Sequence, residues 1–256
     1  MNIKDKAAVV TGGASGLGEA TVTNIIEHGG KAVILDVSED KGMELVEKLG
    51  AGHVLFVKTD VTNEADVEKA LDQAIEQFGS IQIAINCAGI GTPQKVLSKR
   101  KAQDLSPFSK IIEVNLIGTF NVLRLAAEKM LQNEENEEGE RGVIINTASV
   151  AAYEGQIGQA AYSASKGGIV SMTLPIAREF ARHGIRVMTI APGLIETPLF
   201  QTLSEEARAS LGATVPFPPR LGRPSEFAAL TQSIIENPLL NGETIRLDGA
   251  IRMEPK

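Results

Sequence analysis

Short apolar runs alternate with stretches in which apolar residues recur every three or four positions, and this rhythm covers most of the chain. Continuous apolar runs are typical of strands buried on both faces, whereas the longer period indicates amphipathic helices. Their alternation predicts βαβ units, and therefore an α/β fold with a doubly wound parallel sheet and helices on both faces. Strands are predicted at 7–10, 31–35, 53–58, 81–86, 143–147, 185–190 and 244–247, and helices at 19–28, 39–49, 63–78, 108–131, 160–183 and 225–236.

Two segments fall outside this rhythm, although the chain is predicted to form one domain over 1–256. Residues 91–107 are polar and basic, which predicts a loop. Residues 194–219 follow a strand end and mix apolar side chains such as Phe200 with prolines, which favours a substrate lid. The acidic stretch 133–140 predicts a surface loop without chemistry.

A glycine-rich turn follows the first predicted strand and opens the first predicted helix. Its sequence, TGGASGLG from Thr11, places glycines at Gly12, Gly16 and Gly18. Glycines let a turn tighten and let its backbone approach a pyrophosphate, and a helix N-terminus offers free N–H groups to the same anion. Glycine also closes ordinary strand-to-helix turns, so the turn alone is a weak signal for a Rossmann-type dinucleotide site.

Acidic and small residues end the next strands at the same predicted edge of the sheet. Asp36 ends the second strand, where a carboxylate can accept hydrogen bonds from an adenosine ribose and would repel a 2′-phosphate. No Arg or Lys follows it closely in sequence, so the pattern favours NAD over NADP. The alternative is a solvated aspartate at a strand end. Asp60 and Val61 end the third strand, and 86–89 (NCAG) end the fourth.

Candidate chemistry lies between Ser149 and Lys166. Tyr162 and Lys166 are four residues apart in a helical segment, so both side chains share one helix face. A nearby cation stabilises a phenolate, which predicts a lowered Tyr162 pKa and a role as proton donor and acceptor. Ser149 ends an apolar run and supplies a hydroxyl for a substrate oxygen. A lone Tyr-x-x-x-Lys is usually surface decoration, and here the upstream cofactor motif makes it informative.

Composition and charge narrow the function classes further. The net charge of −7 offers no basic footprint for nucleic acid or an anionic membrane surface. No run of eighteen apolar residues occurs, which predicts no spanning helix, and the first strand follows the N-terminus too closely for a cleaved signal. Cys87 is the only cysteine, so no internal disulfide forms. We expect a reducing compartment, a bacterial-type cytosol or a mitochondrial matrix, and no metal site.

Together, TGGASGLG, the NCAG element, Asn115, Ser149 and Tyr162-x-x-x-Lys166 resemble the short-chain dehydrogenase/reductase family over essentially the whole chain. Segments 141–178, 185–194 and 240–255 are similar to one branch, the type-2 3-hydroxyacyl-CoA dehydrogenases, also called type-10 17β-hydroxysteroid dehydrogenases.

The resemblance implies a role for each matching residue. Tyr162 would be the general acid/base, Lys166 would lower its pKa and bind the nicotinamide ribose, and Ser149 would orient the substrate oxygen. Asn115 would hold a water in a proton relay. The family usually forms homotetramers, in which helices 108–131 and 160–183 would pair between subunits. Cofactor contacts are implied for Gly12, Ser15, Gly16, Leu17, Asp36, Asp60, Val61, Cys87, Gly89, Tyr162, Lys166, Ile195 and Thr197.

Three functions are consistent with these residues. The leading hypothesis is NAD-dependent interconversion of a 3-hydroxyacyl-CoA and its 3-ketoacyl-CoA. A hydroxysteroid or general secondary-alcohol dehydrogenase would use the same catalytic residues. Basic residues in loop 91–107 favour the thioester, since they could meet CoA phosphates, although charge runs often face only water. A NAD-binding scaffold in a partner complex is the third hypothesis, and the intact set of catalytic residues argues against it.

Overall fold

The computed structural model describes residues 1–198 and 204–255, and a seven-stranded sheet lies at its centre. The strand order is β3-β2-β1-β4-β7-β8-β9, and every neighbouring pair in this sheet is parallel. This confirms the predicted α/β fold with a Rossmann-type parallel sheet. The strands are β1 (Ala7–Thr11), β2 (Lys31–Asp36), β3 (Val54–Lys58), β4 (Ile83–Asn86), β7 (Gly142–Thr147), β8 (Ile185–Pro192) and β9 (Thr244–Leu247).

Helices cover both faces of the sheet, and each face has its own apolar core. Strands between two such cores are apolar on both sides, which explains the continuous apolar runs; all eight residues of β8 are buried. One face packs against α1 (Gly16–Glu27), α2 (Glu39–Leu49) and α8 (Pro224–Glu236), and the other against α3 (Glu64–Phe78), α5 (Thr119–Met130) and α6 (Ala160–Phe180).

The strand order reverses direction between β1 and β4. From β1 the chain builds β2 and β3 on one side, then returns to place β4, β7, β8 and β9 on the other. In open parallel sheets this reversal leaves a crevice outside the carboxyl ends of the two central strands, where ligands bind. The glycine-rich turn after β1 and the NCAG element after β4 therefore meet at this crevice.

The predicted loop 91–107 contains more structure than its polar sequence indicated. It folds into a small antiparallel hairpin of β5 (Leu97–Ser98) and β6 (Lys101–Ala102). The turn residues Lys99 and Arg100 both have positive φ, 48° and 67°, without the glycine or asparagine that usually marks such a turn. The predicted loop therefore contains a short hairpin that the sequence analysis did not anticipate.

The predicted helix 108–131 begins earlier and is interrupted. It starts as α4 (Leu105–Ile112), widens into a π-helical segment at Glu113–Gly118, and continues as α5. Single π turns inside α-helices frequently mark functional sites. Asn115 lies in the π-helical segment, so the interruption falls where the sequence placed a functional residue.

The predicted lid, 194–219, includes a helix that the sequence analysis did not anticipate, α7 (Glu205–Gly212). Ser204 caps α7 by accepting from the Ala207 backbone N–H. Residues 199–203, including Phe200, lie outside the described residues. Among the described residues, no helix has the length and apolar character needed to cross a membrane, and no group of three or more His, Cys, Asp or Glu side chains is arranged to hold a metal ion.

Candidate active site

The glycine-rich turn fits tightly against the end of β4. Gly12 adopts φ +61°, and a Cβ atom there would lie 2.8 Å from the Ala88 backbone nitrogen. A Cβ on Gly18 would overlap the Gly12 carbonyl. Ala88 N–H also donates to the Thr11 hydroxyl, at 3.1 Å. The glycines therefore bring the start of α1 and its free N–H groups to the crevice, in the cradle that a pyrophosphate requires.

The first residues of α1 meet the beginning of the predicted lid. Ser15 is the N-cap residue, in extended conformation, and Leu17 packs against the apolar core under α1. Gly16 has φ +56°, and a Cβ atom there would lie 3.2 Å from Pro198 Cδ and 3.6 Å from Thr197 Cγ2. Thr197 therefore lies against the glycine-rich turn.

Ile195 is oriented differently from Thr197. Its side chain is buried and belongs to the core beneath α8, and its backbone pairs with Gly222 in an isolated parallel bridge. Glu196 N–H donates to the Gly222 carbonyl at 2.8 Å. Ile195 therefore anchors the start of the predicted lid to the core.

The Asp36 carboxylate connects β2 to the glycine-rich turn. It accepts hydrogen bonds from the Ala14 N–H, at 3.1 Å, and from the Ser38 N–H, at 2.9 Å. Lys58 stands opposite Asp36 in the β2–β3 register, a cation that the local sequence did not reveal. Its ammonium lies 3.2 Å from the Glu39 carboxylate in a solvent-exposed ion pair.

Asp60 and Val61 follow β3 at the same edge. Hydrogen bonds from the Thr62 backbone N–H (2.9 Å) and hydroxyl (2.7 Å) hold the pKa of Asp60 below its usual value. Val61 is buried, and its carbonyl accepts from the Asn121 side chain at 3.0 Å. Asp60 is therefore an ionised acceptor, and Val61 forms an apolar floor beside it.

Cys87 and Gly89 follow β4 and face the crevice from the other side. Burial raises the pKa of the Cys87 thiol to about 11, so it stays neutral and behaves as a small apolar group. A Cβ atom on Gly89 would lie 3.3 Å from Asn115 Oδ1 and 3.5 Å from Lys166 Nζ. Glycine at this position therefore leaves room for those two side chains.

Tyr162, Ser149 and Lys166 converge at the ends of α6 and β7. Ser149 follows β7, and its Oγ accepts from the Ala151 N–H at 3.1 Å. The hydroxyls of Ser149 and Tyr162 interact with each other. Lys166 Nζ lies 5.8 Å from the Tyr162 ring centroid and donates to the Thr147 carbonyl at 2.7 Å. The three side chains that the sequence singled out are therefore brought to one place.

The pKa of Tyr162 departs from the sequence-based expectation. Burial raises it, because an apolar environment disfavours the phenolate, and only the hydrogen bond with Ser149 opposes this. The prediction that Lys166 lowers the pKa is wrong for this arrangement, since the ammonium turns toward the Thr147 carbonyl instead of the phenol. Burial also lowers the pKa of Lys166 to about 8.

The Asn115 side chain is occupied by protein groups. Its Oδ1 accepts from the Ile90 N–H at 2.8 Å, and its Nδ2 donates to the Ile90 carbonyl at 2.8 Å and to Ser165 Oγ at 3.1 Å. Both amide hydrogens are thus used. If Asn115 holds a relay water, as the resemblance implied, its backbone carbonyl must do so, and that carbonyl already accepts from the Thr119 hydroxyl at 2.7 Å.

Several residues of this site were not anticipated from the sequence. Thr147 and Ile90 act through backbone groups, which leave no residue-type signal. Gly91 lies against the Tyr162 ring, where a Cβ atom would be 3.2 Å from Cδ2. Ser165 was accessible to prediction, because it lies between Tyr162 and Lys166 and its buried hydroxyl had to find a partner.

Comparison with known proteins gives consistent similarities. A family model described as short chain dehydrogenase matches residues 6–208. The chain is 58% identical to 3-hydroxyacyl-CoA dehydrogenase type-2 from Bos taurus, with 99% of this chain and 98% of the relative covered. Ipsdienol dehydrogenase from Ips pini is 37% identical, with 98% and 99% covered. The crystal structure of 3-hydroxyacyl-CoA dehydrogenase type-2 from Mycobacterium avium superposes with a TM-score of 0.94 at 43% identity, covering 98% and 97%.

Proposed function

Because the chain belongs to the short-chain dehydrogenase family, we propose that it interconverts a 3-hydroxyacyl-CoA and its 3-ketoacyl-CoA with NAD as cofactor. The observation that carries the proposal is the convergence of Tyr162, Ser149 and Lys166 beside the glycine-rich turn. The names of the relatives that are 57–58% identical supply the substrate class. The substrate and the cofactor are tested separately below.

The crevice has the features that a dinucleotide needs. A side chain at Gly12 would clash with Ala88, and one at Gly18 with Gly12, so backbone lines the place where a pyrophosphate would lie. The Asp36 carboxylate is fixed by two backbone N–H groups, ready to accept from ribose hydroxyls. When bound there, the nicotinamide supplies the hydride chemistry, and the protein supplies position and proton transfer.

Tyr162 is proposed to move the proton at its phenolic oxygen. In ketone reduction the protonated phenol donates to the substrate oxygen, and in alcohol oxidation the phenolate accepts the hydroxyl proton. A raised pKa keeps the phenol protonated at neutral pH, which suits the donor role. The Ser149 hydroxyl donates to the same substrate oxygen as charge develops on it. The Lys166 ammonium, held by the Thr147 carbonyl at 2.7 Å, is proposed to donate to the ribose hydroxyls of the bound cofactor.

The hairpin β5–β6 supports the choice of a CoA thioester. Its turn exposes Lys99, Arg100 and Lys101 together, with Lys95 close by in sequence. The segment before the hairpin contacts the site, because the Ile90 backbone is held by Asn115 and Gly91 lies on the Tyr162 ring. A substrate reaching out of the crevice along this segment would bring its phosphates to the basic turn.

A second candidate function is oxidation of a secondary alcohol without CoA, such as a hydroxysteroid. The similarity to ipsdienol dehydrogenase favours it, since that relative is named for an alcohol. The same catalytic residues would act, and the basic turn would have no ligand. A cofactor-binding scaffold without turnover is the third possibility, and the complete set of catalytic side chains argues against it.

A substrate panel separates these functions. Purified protein with NADH is offered acetoacetyl-CoA, longer 3-ketoacyl-CoAs, a ketosteroid and a simple β-keto ester, and NADH oxidation is followed. We expect the largest kcat/KM with a CoA thioester. Replacing Lys99, Arg100 and Lys101 by Gln should raise KM for the thioester and leave KM for the β-keto ester unchanged. Preference for the ketosteroid or the β-keto ester would reject the thioester, and no turnover at all would favour the scaffold.

The cofactor choice has its own test. A 2′-phosphate would meet the Asp36 carboxylate, and Lys58, which stands opposite Asp36 in the sheet register, is paired with Glu39. The wild type should therefore use NADH with a higher kcat/KM than NADPH. Asp36→Ala should reduce the ratio of kcat/KM for NADH to kcat/KM for NADPH, chiefly by weakening the binding of NADH. Equal kcat/KM for both cofactors in the wild type would reject this assignment.

A further inference from the structure

Residues Arg246–Pro255, called here the brace segment, run from the end of β9 across the crevice side of the molecule. The brace segment contacts both walls of the candidate site. One wall is loop 149–159, which joins Ser149 to the helix of Tyr162. The other is the end of the predicted lid at 215–219. Neither wall belongs to the regular sheet, so each needs support from elsewhere in the chain.

Arg246 makes the principal contact with loop 149–159. Its guanidinium donates to both carboxylate oxygens of Glu154, at 2.7 and 2.8 Å, and to Asp248 Oδ2 at 2.7 Å. It also stacks on Tyr153, 5.1 Å from the ring centroid. Paired, planar contacts of this kind fix orientation as well as distance. Arg246 and Glu154 are mostly shielded from water, with side-chain exposures of 21% and 25%.

The far end of the brace segment holds the same loop a second time. The Ile157 N–H donates to the Pro255 carbonyl at 3.0 Å, and Gln156 Nε2 donates to the Glu254 carbonyl at 3.0 Å. Inside the loop, Gly155 packs so closely on Ser163 that a Cβ atom would overlap the Ser163 hydroxyl. Because Ser163 is next to Tyr162, a displacement of the loop is passed directly to the start of α6.

The middle of the brace segment holds the lid. Gly249 has φ +59°, and a Cβ atom there would overlap Val215. The Phe217 N–H donates to the Gly249 carbonyl at 3.3 Å. Asp248 packs against the end of β8, where a Cβ atom on Gly193 would lie 2.8 Å from Asp248 Cβ. Asp248 is also the second carboxylate bound by Arg246, so this guanidinium connects the two walls. Arg252 approaches the same two carboxylates, at 3.6 Å from Glu154 and 3.2 Å from Asp248, but its side chain is 60% exposed, against 21% for Arg246.

We infer that Arg246 is a positioning residue: by clamping Glu154 and Asp248 it fixes the Ser149–Tyr162 loop relative to the lid, and so sets the width of the substrate cleft. Arg246 touches no reacting atom, and the inference rests on the proposed function for its kinetic consequence. Loss of the clamp should loosen the substrate side of the crevice. The glycine-rich turn and Asp36 lie on the other side, held by contacts that the brace segment does not make.

The test uses Arg246→Met, which keeps length and removes the fork, and Glu154→Gln, which keeps shape and removes the charge. Asp72→Asn is the control, because it removes an ion pair of similar length, 2.6 Å to Lys129, far from the crevice. We expect KM for the preferred substrate to rise about tenfold in both variants, equivalent to about 1.4 kcal/mol. The Kd for NADH should stay within about twofold, and the control should match the wild type. The KM of Arg246→Lys should lie between those of the wild type and Arg246→Met, since an ammonium keeps the charge and loses the two-point geometry.

Amide hydrogen exchange supplies a readout that does not depend on turnover. In Arg246→Met, segments 150–159 and 213–219 should exchange faster, and the sheet strands should be unchanged. Combining Arg246→Met with Glu154→Gln should raise KM no more than the larger of the two single effects, because both substitutions break the same contact. Additive kinetic effects, unchanged exchange in the two walls, or a change confined to oligomeric state would overturn the inference. If the wild type reduces no thioester, the proposed function fails. The exchange measurement still tests whether Arg246 holds the two walls together.

Discussion

Lys166 is a charged side chain in a place that water scarcely reaches. It is 4% exposed, and burial lowers its pKa to about 8. The Thr147 carbonyl, 2.7 Å away, is a neutral partner and offsets only part of the cost of burying an ammonium. Burial of Lys166 therefore lowers the free energy of unfolding, and it places a cation beside Tyr162. Such trade-offs are common where function requires a charge in a low-dielectric site.

Lys166→Met should therefore stabilise the protein at neutral pH. The folded pKa, about 8, lies below the unfolded value, so the unfolded chain binds this proton more tightly and wild-type stability rises between pH 8 and about 10.5. We expect a gain on the order of 2 kcal/mol at pH 7, reduced by the lost Thr147 hydrogen bond, that shrinks as pH rises through this window. Urea unfolding at pH 7 and pH 10 measures it.

The control for this prediction is Lys129→Met. Asp72 raises the pKa of the Lys129 ammonium, so its charge favours folding and its removal should bring no gain. A Lys166→Met variant less stable than the wild type at pH 7 would contradict the interpretation. Turnover should be lost in Lys166→Met whatever its stability.

Tyr162→Phe separates proton transfer from binding. The ring and its contact with Gly91 remain, and only the hydroxyl is lost. We expect NADH affinity to survive while kcat falls by roughly two to four orders of magnitude. In the wild type, alcohol oxidation should accelerate from pH 7 to pH 9, because the raised pKa leaves little phenolate at neutral pH, and Tyr162→Phe should lack this rise. More than about a tenth of wild-type turnover in the variant would mean that the acid lies elsewhere.

At the scale of elements, an ion pair between Glu226 and Arg220 stabilises the start of α8. Glu226 accepts from Arg220 through two contacts, 2.9 and 2.6 Å, and from the Arg223 N–H at 2.7 Å. The guanidinium is the main reason that the pKa of Glu226 is lowered to about 2. This helix packs on α1, the helix that follows the glycine-rich turn.

Glu226→Gln should lower the melting temperature at pH 7. A depressed folded pKa gives stability that is present above the unfolded pKa, near 4.3, and is lost as pH falls toward 2. The difference between variant and wild type should therefore shrink between pH 4.5 and the lowest pH at which both still melt cooperatively. Glu236→Gln, at the other end of α8, is the matched control and should melt like the wild type. An equal loss of melting temperature at every pH would mean that Glu226→Gln acts through the shape of the side chain and not through its charge.

Much of this fold follows from the pattern of the chain, and the exceptions have physical reasons. Buried strands such as β7 are continuous apolar runs, so their positions were predicted to within a residue or two. The hairpin β5–β6 was missed because its residues are exposed and its turn uses Lys99 and Arg100 where glycine or asparagine is usual. α7 is short, and its proline-rich surroundings hid its period.

In the candidate site too, some features could be predicted from the sequence and others could not. Tyr162, Lys166 and Asp36 were predictable because their side-chain chemistry and spacing carry the signal. The partners of Lys166 and Asn115 are the backbone groups of Thr147 and Ile90, which any residue type could supply. The pKa direction of Tyr162 depends on burial, and burial follows from packing that the spacing of two residues does not reveal.

At the scale of the whole molecule, the face formed by α5 and α6 exposes large apolar side chains. A groove of about 330 Å³ between the two helices is lined by Phe120, Leu131, Ile176 and Phe180 together with several polar side chains. Phe120 is 47% exposed and Leu131 is 42% exposed. Exposed apolar patches of this kind mark association surfaces. We propose that this face pairs with a second copy of the chain in a homotetramer.

Phe120→Glu should disrupt that assembly, because it would place a charge inside a paired apolar face at each symmetric contact. Multi-angle light scattering at micromolar concentration should find a tetramer for the wild type and a smaller species for the variant. Leu239→Glu is the control, since Leu239 is 91% exposed on another part of the surface. A stable wild-type monomer of 27.2 kDa would reject the proposal.

The parallel strand order also governs how the chain is exposed while it is being made. β4 pairs with β1 on one side and with β7 on the other, yet β7 is synthesised long after β4. At roughly 5–20 residues per second, residues 87–141 take about 3–11 s to leave the ribosome. During that interval the apolar edge Ile83–Asn86 has no partner, and unpaired edges recruit other strands. Chains stalled or cleaved before residue 142 should therefore aggregate or be captured by chaperones.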